Sequence, residues 1–283
     1  MPNLSTNPTN KITLLHDTFL QKLLGQNYKW WYVIKFYIKT TATEFFVRIW
    51  VQLALIVQSL MILYVWHLGN FQVEVFTYLI VGRIYKALSD SYFFDILGQQ
   101  IIGGQITADL MRPQDYIQLT FFRTIGYRII DNLTSGLGML LAGIVASLFF
   151  AQVELNSRLL LLLLFLPISF WIQHFTGFIF GCTAFFLEDK RAFQHIMRIY
   201  NTVFLVVFTG TFLPIDKIPF GFIIEKTPFA YFLHLPMQIY LGKYNNFQIF
   251  WVFLGGVSWC ILLYFLARLV FKIGLKRNES VGL

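Results

Sequence analysis

Apolar runs long enough to cross a lipid bilayer recur from residue 45 to residue 271, and no other feature restricts the fold of this chain as strongly. A helix rises about 1.5 Å per residue, so a hydrocarbon core about 30 Å thick takes about 20 apolar residues. Six segments approach or meet that length: about Phe45 to Trp66, about Val73 to Phe94, from near Leu133 to Phe150, about Leu159 to Leu187, about Ile196 to Leu213, and about Phe247 to Phe271. The expected class is all-α, a polytopic membrane protein with six transmembrane helices. Composition agrees, because the 283 residues are 57% hydrophobic and only 13% charged, against about 25% charged in soluble domains. No intervening segment could build its own soluble core. A single domain is expected over 1–283, with a tail and surface helix in 1–44, the six-span bundle in 45–272 and a short tail in 273–283.

The net charge of +8 comes from Lys and Arg beside the apolar runs rather than in one dense cluster. That pattern suits lipid headgroups and topology better than nucleic acid. With the N-terminus inside, Lys11, Lys22, Lys29, Lys35, Lys39, Arg112, Lys190, Arg191, Lys272, Lys276 and Arg277 are cytoplasmic, and only Arg158, Lys217, Lys226 and Lys243 lie outside. Six spans then put both termini in the cytoplasm, in a cell (inner) membrane. The opening MPNLSTNPTNKITLLHDTF lacks the continuous apolar core of a secretory signal, so no cleavage is expected. Cys182 and Cys260 sit in separate apolar runs and read as small buried hydrophobes.

Three stretches outside the spans carry information. In YKWWYVIKFYIKT (28–40) Trp30, Ile34 and Ile38 share a helical face that Lys35 and Lys39 avoid, which describes a helix lying in the headgroup layer or an extension of the first span. Residues 214–246 are apolar but broken by Pro214, Pro219, Pro228 and Pro236, so short re-entrant helices dipping into the outer leaflet are expected. Between the second and third spans lies GQQIIGGQITADLMRPQD (98–115), a polar, glycine-rich island. Its glycines can turn tightly, ITADLM supplies a short helix, and Arg112-Pro113 ends it.

Enzyme chemistry finds little support. The single Gly-Lys pair, Gly242-Lys243, is followed by Tyr244 and lacks the remaining P-loop residues, HExxH and GxSxG are absent, and the five histidines are scattered. Charges within spans are costly, and they face a bundle interior or an aqueous path unless they pair and snorkel near a membrane surface. Arg83, Lys86 and Asp90 fall on the second span, with Lys86 and Asp90 one helical turn apart, while Arg123, Arg128 and Asp131 enter the third. Gly177 and Gly181 form a GxxxG that permits close helix packing. Pro167 is expected to kink the same helix, and Gln173, His174 and Thr176 could hydrogen-bond across it.

Taken in order, GGQITADLMRPQD, FFLEDKRAF (185–193), FLPIDKIP with TPFAYFLHLPMQIYLGK, and the final GLKRNESVG resemble the membrane subunit of an ABC exporter of the type-two permease family, over nearly the whole chain. The resemblance implies a permease that pairs with a second copy or a sister permease. It also implies two separate ATPase subunits that hold ATP and Mg, with no cofactor on this chain. The island then corresponds to the coupling helix that docks on the ATPase, carried by Gln105, Ile106, Asp109, Leu110, Met111 and Arg112. Residues 28–40 match the connecting helix. Gln52, Gln58, Asn201, Thr202 and Thr209 would line the path or dimer seam, or else hydrogen-bond within one subunit. The alternatives are a secondary transporter, for which no internal repeat is visible, and a non-transporting membrane scaffold, which leaves the island without a purpose.

Overall fold

The computed structural model describes residues 28–43, 73–91, 93–149, 157–187, 189–211 and 214–280, with isolated helical positions between 50 and 64. Every regular element among the described residues is helical. In chain order they are α1 (Tyr28–Thr43), α2 (Val73–Ser89), α3 (Phe93–Ile102), α4 (Ile106–Leu110), α5 (Tyr116–Phe149), α6 (Leu159–Gly181), α7 (Lys190–Ile199), α8 (Gly221–Ile224), α9 (His234–Tyr240) and α10 (Asn246–Ser280). Helix α6 runs on as a 3-10 turn to Phe186, and α7 widens into a π-helix over Tyr200–Val207.

Among the described residues three helices are long and apolar enough to cross a membrane, within Tyr116–Val145, Leu159–Phe186 and Asn246–Arg277. Several expected spans differ in detail. The second is broken at Asp90 and Ser91 into α2 and α3. The third starts at Tyr116 instead of near Leu133. Its polar first half is tolerated because Arg128 pairs with Asp131 at 3.1 Å and Arg123 with Asp109 at 3.1 Å. The fifth is a composite of α7 and the π-helix. Most of 45–66, including Gln52 and Gln58, lies outside the described residues; Ile56 from this stretch touches α5 at Gly138.

Helix α6 is the centre of the bundle, with Phe165, Ile172, Phe175 and Phe178 buried. Helix α10 packs along it through Phe165–Phe253, Phe175–Tyr264 and Phe178–Phe271 ring pairs with centroids 5.5–5.9 Å apart. On the other side Gly177 and Gly181 face α3: a Cβ on Gly181 would lie 3.0 Å from the Phe94 carbonyl oxygen, so only glycine lets the two backbones come this close. Pro167 lies inside α6. Helix α1 rests on α5, with Trp30 stacked on Phe122 at 4.8 Å and the Ile34 carbonyl 2.8 Å from where a Cβ on Gly126 would stand. Lys35 and Lys39 stay exposed on its far side.

Residues 214–246 fold back against the bundle in short helical turns. Residues 228–240 are almost wholly buried, and the Ser169 hydroxyl donates to the Tyr231 carbonyl at 2.6 Å. Pro228 opens a 3-10 turn and Pro236 sits in the first turn of α9, where a missing N–H costs no intrahelical bond. Lys243 Nζ reaches Glu74 at 2.9 Å and Asp216 at 3.5 Å, tying this segment to the start of α2.

Candidate functional site

The first residues of the island, 98–102, are the end of α3, and the chain turns after them. Gly104 adopts φ 69°, a left-handed conformation that glycine takes without a Cβ penalty, and the Thr107 hydroxyl donates to its carbonyl at 2.7 Å to start α4. This helix is five residues long, Ile106–Leu110, too short to stand alone in water, so its position depends on what holds it. Ile106 is fully buried in the bundle core, and Leu110 packs partly against it. Of the three apolar residues expected in the docking helix, Ile106 and Leu110 therefore point inward. Met111 is 81% exposed, and Gln105, Arg112 and Pro113 are exposed beside it.

Two aspartates pin the loop to different helices. Asp109 Oδ2 accepts from Arg123 Nη1 of α5 at 3.1 Å, with both side chains mostly buried, while its Oδ1 lies 3.6 Å from Arg112. The Arg123 guanidinium also stands 5.0 Å from the Tyr37 ring, so α1, α4 and α5 meet at one side chain. Asp115 caps α5, its Oδ1 accepting from the Ile117 and Gln118 amides at 3.0 and 3.1 Å. Its Oδ2 accepts from Arg268 of α10 at 2.6 Å. A force on the exposed tip is therefore carried to α5 and α10.

The other route runs through α3. Phe193 of α7 lies on Gly98, where any Cβ would fall inside the ring. Above α3 the Asp90–Ser91 break is held open by neighbours: Asn132 Nδ2 donates to the Leu88 carbonyl at 2.8 Å, and the Ser91 amide donates to Gln173 Oε1 at 3.1 Å. Such substitution by side chains is what allows a helix to break at membrane depth. Lys86 does not pair with Asp90. Its ammonium donates to the Leu205 carbonyl at 2.8 Å and to the Thr211 hydroxyl at 3.0 Å, closing the end of the π-helix. The physical reason is that α2 ends at Ser89, so Asp90 has left the helical face that would bring it over Lys86. Arg83 lies partly buried one turn before Lys86.

Among the expected seam residues, Asn201 and Thr202 are exposed. Thr209 is buried, and its hydroxyl is bonded within the subunit, to the Leu205 carbonyl at 2.9 Å and to Thr211. Thr176 meets the Tyr200 hydroxyl at 3.3 Å, and His174 is buried among Phe121, Phe175 and Phe178. Among the described residues no group of three His, Cys, Asp or Glu side chains is arranged to hold a metal. The Asp109–Arg123 and Asp115–Arg268 pairs were missed by sequence reasoning. Their only signal was two arginines inside apolar runs, each of which needs a partner.

A family model described as ABC-2 family transporter protein matches residues 44–282. The chain belongs to this family. The match takes in the island and every helix after α1, which precedes it. No curated protein and no solved structure matches the chain. An ABC-2 chain is a transport membrane component, and the loop between α3 and α5 presents the exposed residues Met111, Arg112 and Pro113.

Proposed function

We propose that this ABC-2 chain is the permease of an ATP-driven exporter, paired with a second copy or a sister permease and driven by two separate ATPase subunits that bind ATP and Mg. The observation that carries the reading is α4: a five-residue helix held by two buried or bridging aspartates while Met111 and Arg112 face outward. An exposed Met beside an Arg is an adaptable apolar knob with a polar rim, suited to a cleft on a partner. The distribution of Lys and Arg supports residues 1–44, 98–116, 188–195 and 273–283 on the cytoplasmic face of the cell (inner) membrane.

In this reading ATP-driven closure of the ATPases displaces α4. Ile106 and Asp109 pass the displacement to the core and to α5, Asp115 passes it to α10, and α3 passes it through Phe193 to α7. Lys86 keeps the π-helix attached to α2 as the break at Asp90–Ser91 pivots, shifting the permease pair between inward-open and outward-open forms.

The test is copurification. An ATPase subunit should accompany the solubilised wild-type chain, and Met111→Glu with Arg112→Glu should remove it without lowering membrane yield, because neither side chain packs in the core. Unchanged assembly in that variant contradicts docking at α4.

A further inference from the structure

A cavity of about 770 Å³ opens between α3 and α7, at the end of the bundle that carries α4. That volume lies within the range of small-molecule sites. Helix α7 buries Phe193 and Met197, which form the apolar floor of the cavity, and sets Lys190, Gln194, Arg198 and Asn201 around them. The lining carboxylate, Asp95, already accepts from Gln99 Nε2 at 3.0 Å. Two cations and several amides against one engaged acid favour an anionic guest.

The surface changes character just beyond Asn201. In a π-helix, residues five apart are joined by hydrogen bonds and stack roughly a turn apart, so Val206 follows Asn201 and Val207 follows Thr202. Val203, Val206 and Val207 are 36–40% exposed, a purely apolar strip leading away from the polar cavity. Gly103 and Gln105 of the island border this space, while the tip residues Met111 and Arg112 do not line it.

We propose that the cavity receives the anionic headgroup of an amphiphilic cargo whose apolar chain lies along Val203, Val206 and Val207. The proposal rests on the permease reading and names its cargo class. Lys190 and Arg198 hold the headgroup, Gln194 and Asn201 donate to its oxygens, and the valine strip leads the chain toward the membrane interior. A neutral sugar polymer has no use for the cations, and a small inorganic anion has none for the apolar strip.

The test uses the full-length chain in dodecyl maltoside, titrated calorimetrically with dodecyl phosphate and, separately, with zwitterionic dodecylphosphocholine. Dodecyl phosphate should bind saturably and at least tenfold more tightly than its phosphocholine counterpart. Lys190→Gln with Arg198→Gln should weaken it at least tenfold, Lys190→Arg with Arg198→Lys should retain it, and Lys272→Gln, an exposed cation on α10, should leave it unchanged. Absence of saturable binding, or equal weakening by Lys272→Gln, overturns the proposal. So does loss of the copurified ATPase from the Lys190→Gln, Arg198→Gln variant with probe binding intact, which assigns the surface to the ATPase. Failure of the permease reading itself registers separately, as a wild-type chain that never brings an ATPase with it.

Discussion

Arg123 should be worth more to the position of α4 than any other single side chain. It donates to Asp109 at 3.1 Å with the two side chains 15% and 12% exposed, and its guanidinium stands over the Tyr37 ring at 5.0 Å. A hydrogen bond to a charged group contributes about 1.5–3 kcal/mol and a cation–π contact about 0.5–2 kcal/mol. Arg123→Met loses both, and Asp109 is only partly relieved by Arg112 at 3.6 Å. The expected destabilisation is about 2–4 kcal/mol, of which about 1.5–3 kcal/mol should appear as coupling with Asp109. At roughly 2–4 °C per kcal/mol the single variant should melt about 4–16 °C lower. Thermal unfolding of the solubilised full-length wild type, Arg123→Met, Asp109→Asn and the double variant closes the cycle. Effects that add to within about 0.5 kcal/mol would refute the idea that this pair holds α4.

Lys86→Met should speed amide hydrogen exchange over residues 205–211 at least tenfold, since the ammonium closes the π-helix end; unchanged exchange there removes Lys86 from that role. Gly98→Ala should lower stability by about 1–3 kcal/mol, because the Phe193 ring stands where the added Cβ would go and must be displaced, and a neutral result in thermal unfolding contradicts the close α3–α7 contact. The outer segment should weaken in acid: burial pushes the His234 pKa down from 6.5 to about 4, and its Nδ1 accepts from the Ile215 amide at 3.2 Å. The unfolded chain then binds more protons between those values, so the contribution is complete above pH 6.5 and is lost as pH falls toward 4, by up to about 3 kcal/mol. Exchange at Ile215 followed from pH 7 to 4 should rise in this window for the wild type and lose that dependence in His234→Gln.

The long apolar runs of α5, α6 and α10 were legible because hydrophobicity alone gives a membrane-crossing length. So was the face of α1, since Trp30, Ile34 and Ile38 repeat at helical spacing. The break at Asp90–Ser91 was not. Two serines and an aspartate in an apolar run read as tolerated polar residues, and the groups that make the break possible, Asn132 and Gln173, belong to other helices. The π-helix was hidden because Tyr200–Val207 carries the same apolar pattern an α-helix would. In the island the turn and the short helix could be read from Gly104 and Pro113. Which side of α4 faces inward could not, because Ile106 and Met111 are both apolar and only the packed core buries one of them. Arg268 reveals its partner only once the end of α10 is brought beside the N-terminus of α5.

The most direct measurement of docking is a cross-link from α4 in the native membrane. Met111→Cys, treated with a short bifunctional maleimide and identified by mass spectrometry, should yield an adduct with a subunit whose peptides carry a P-loop, while Phe222→Cys at the opposite end, also exposed, should not. No such adduct from Met111→Cys, or an equal yield from Phe222→Cys, would contradict the claim that the island is where this ABC-2 chain meets its ATPase.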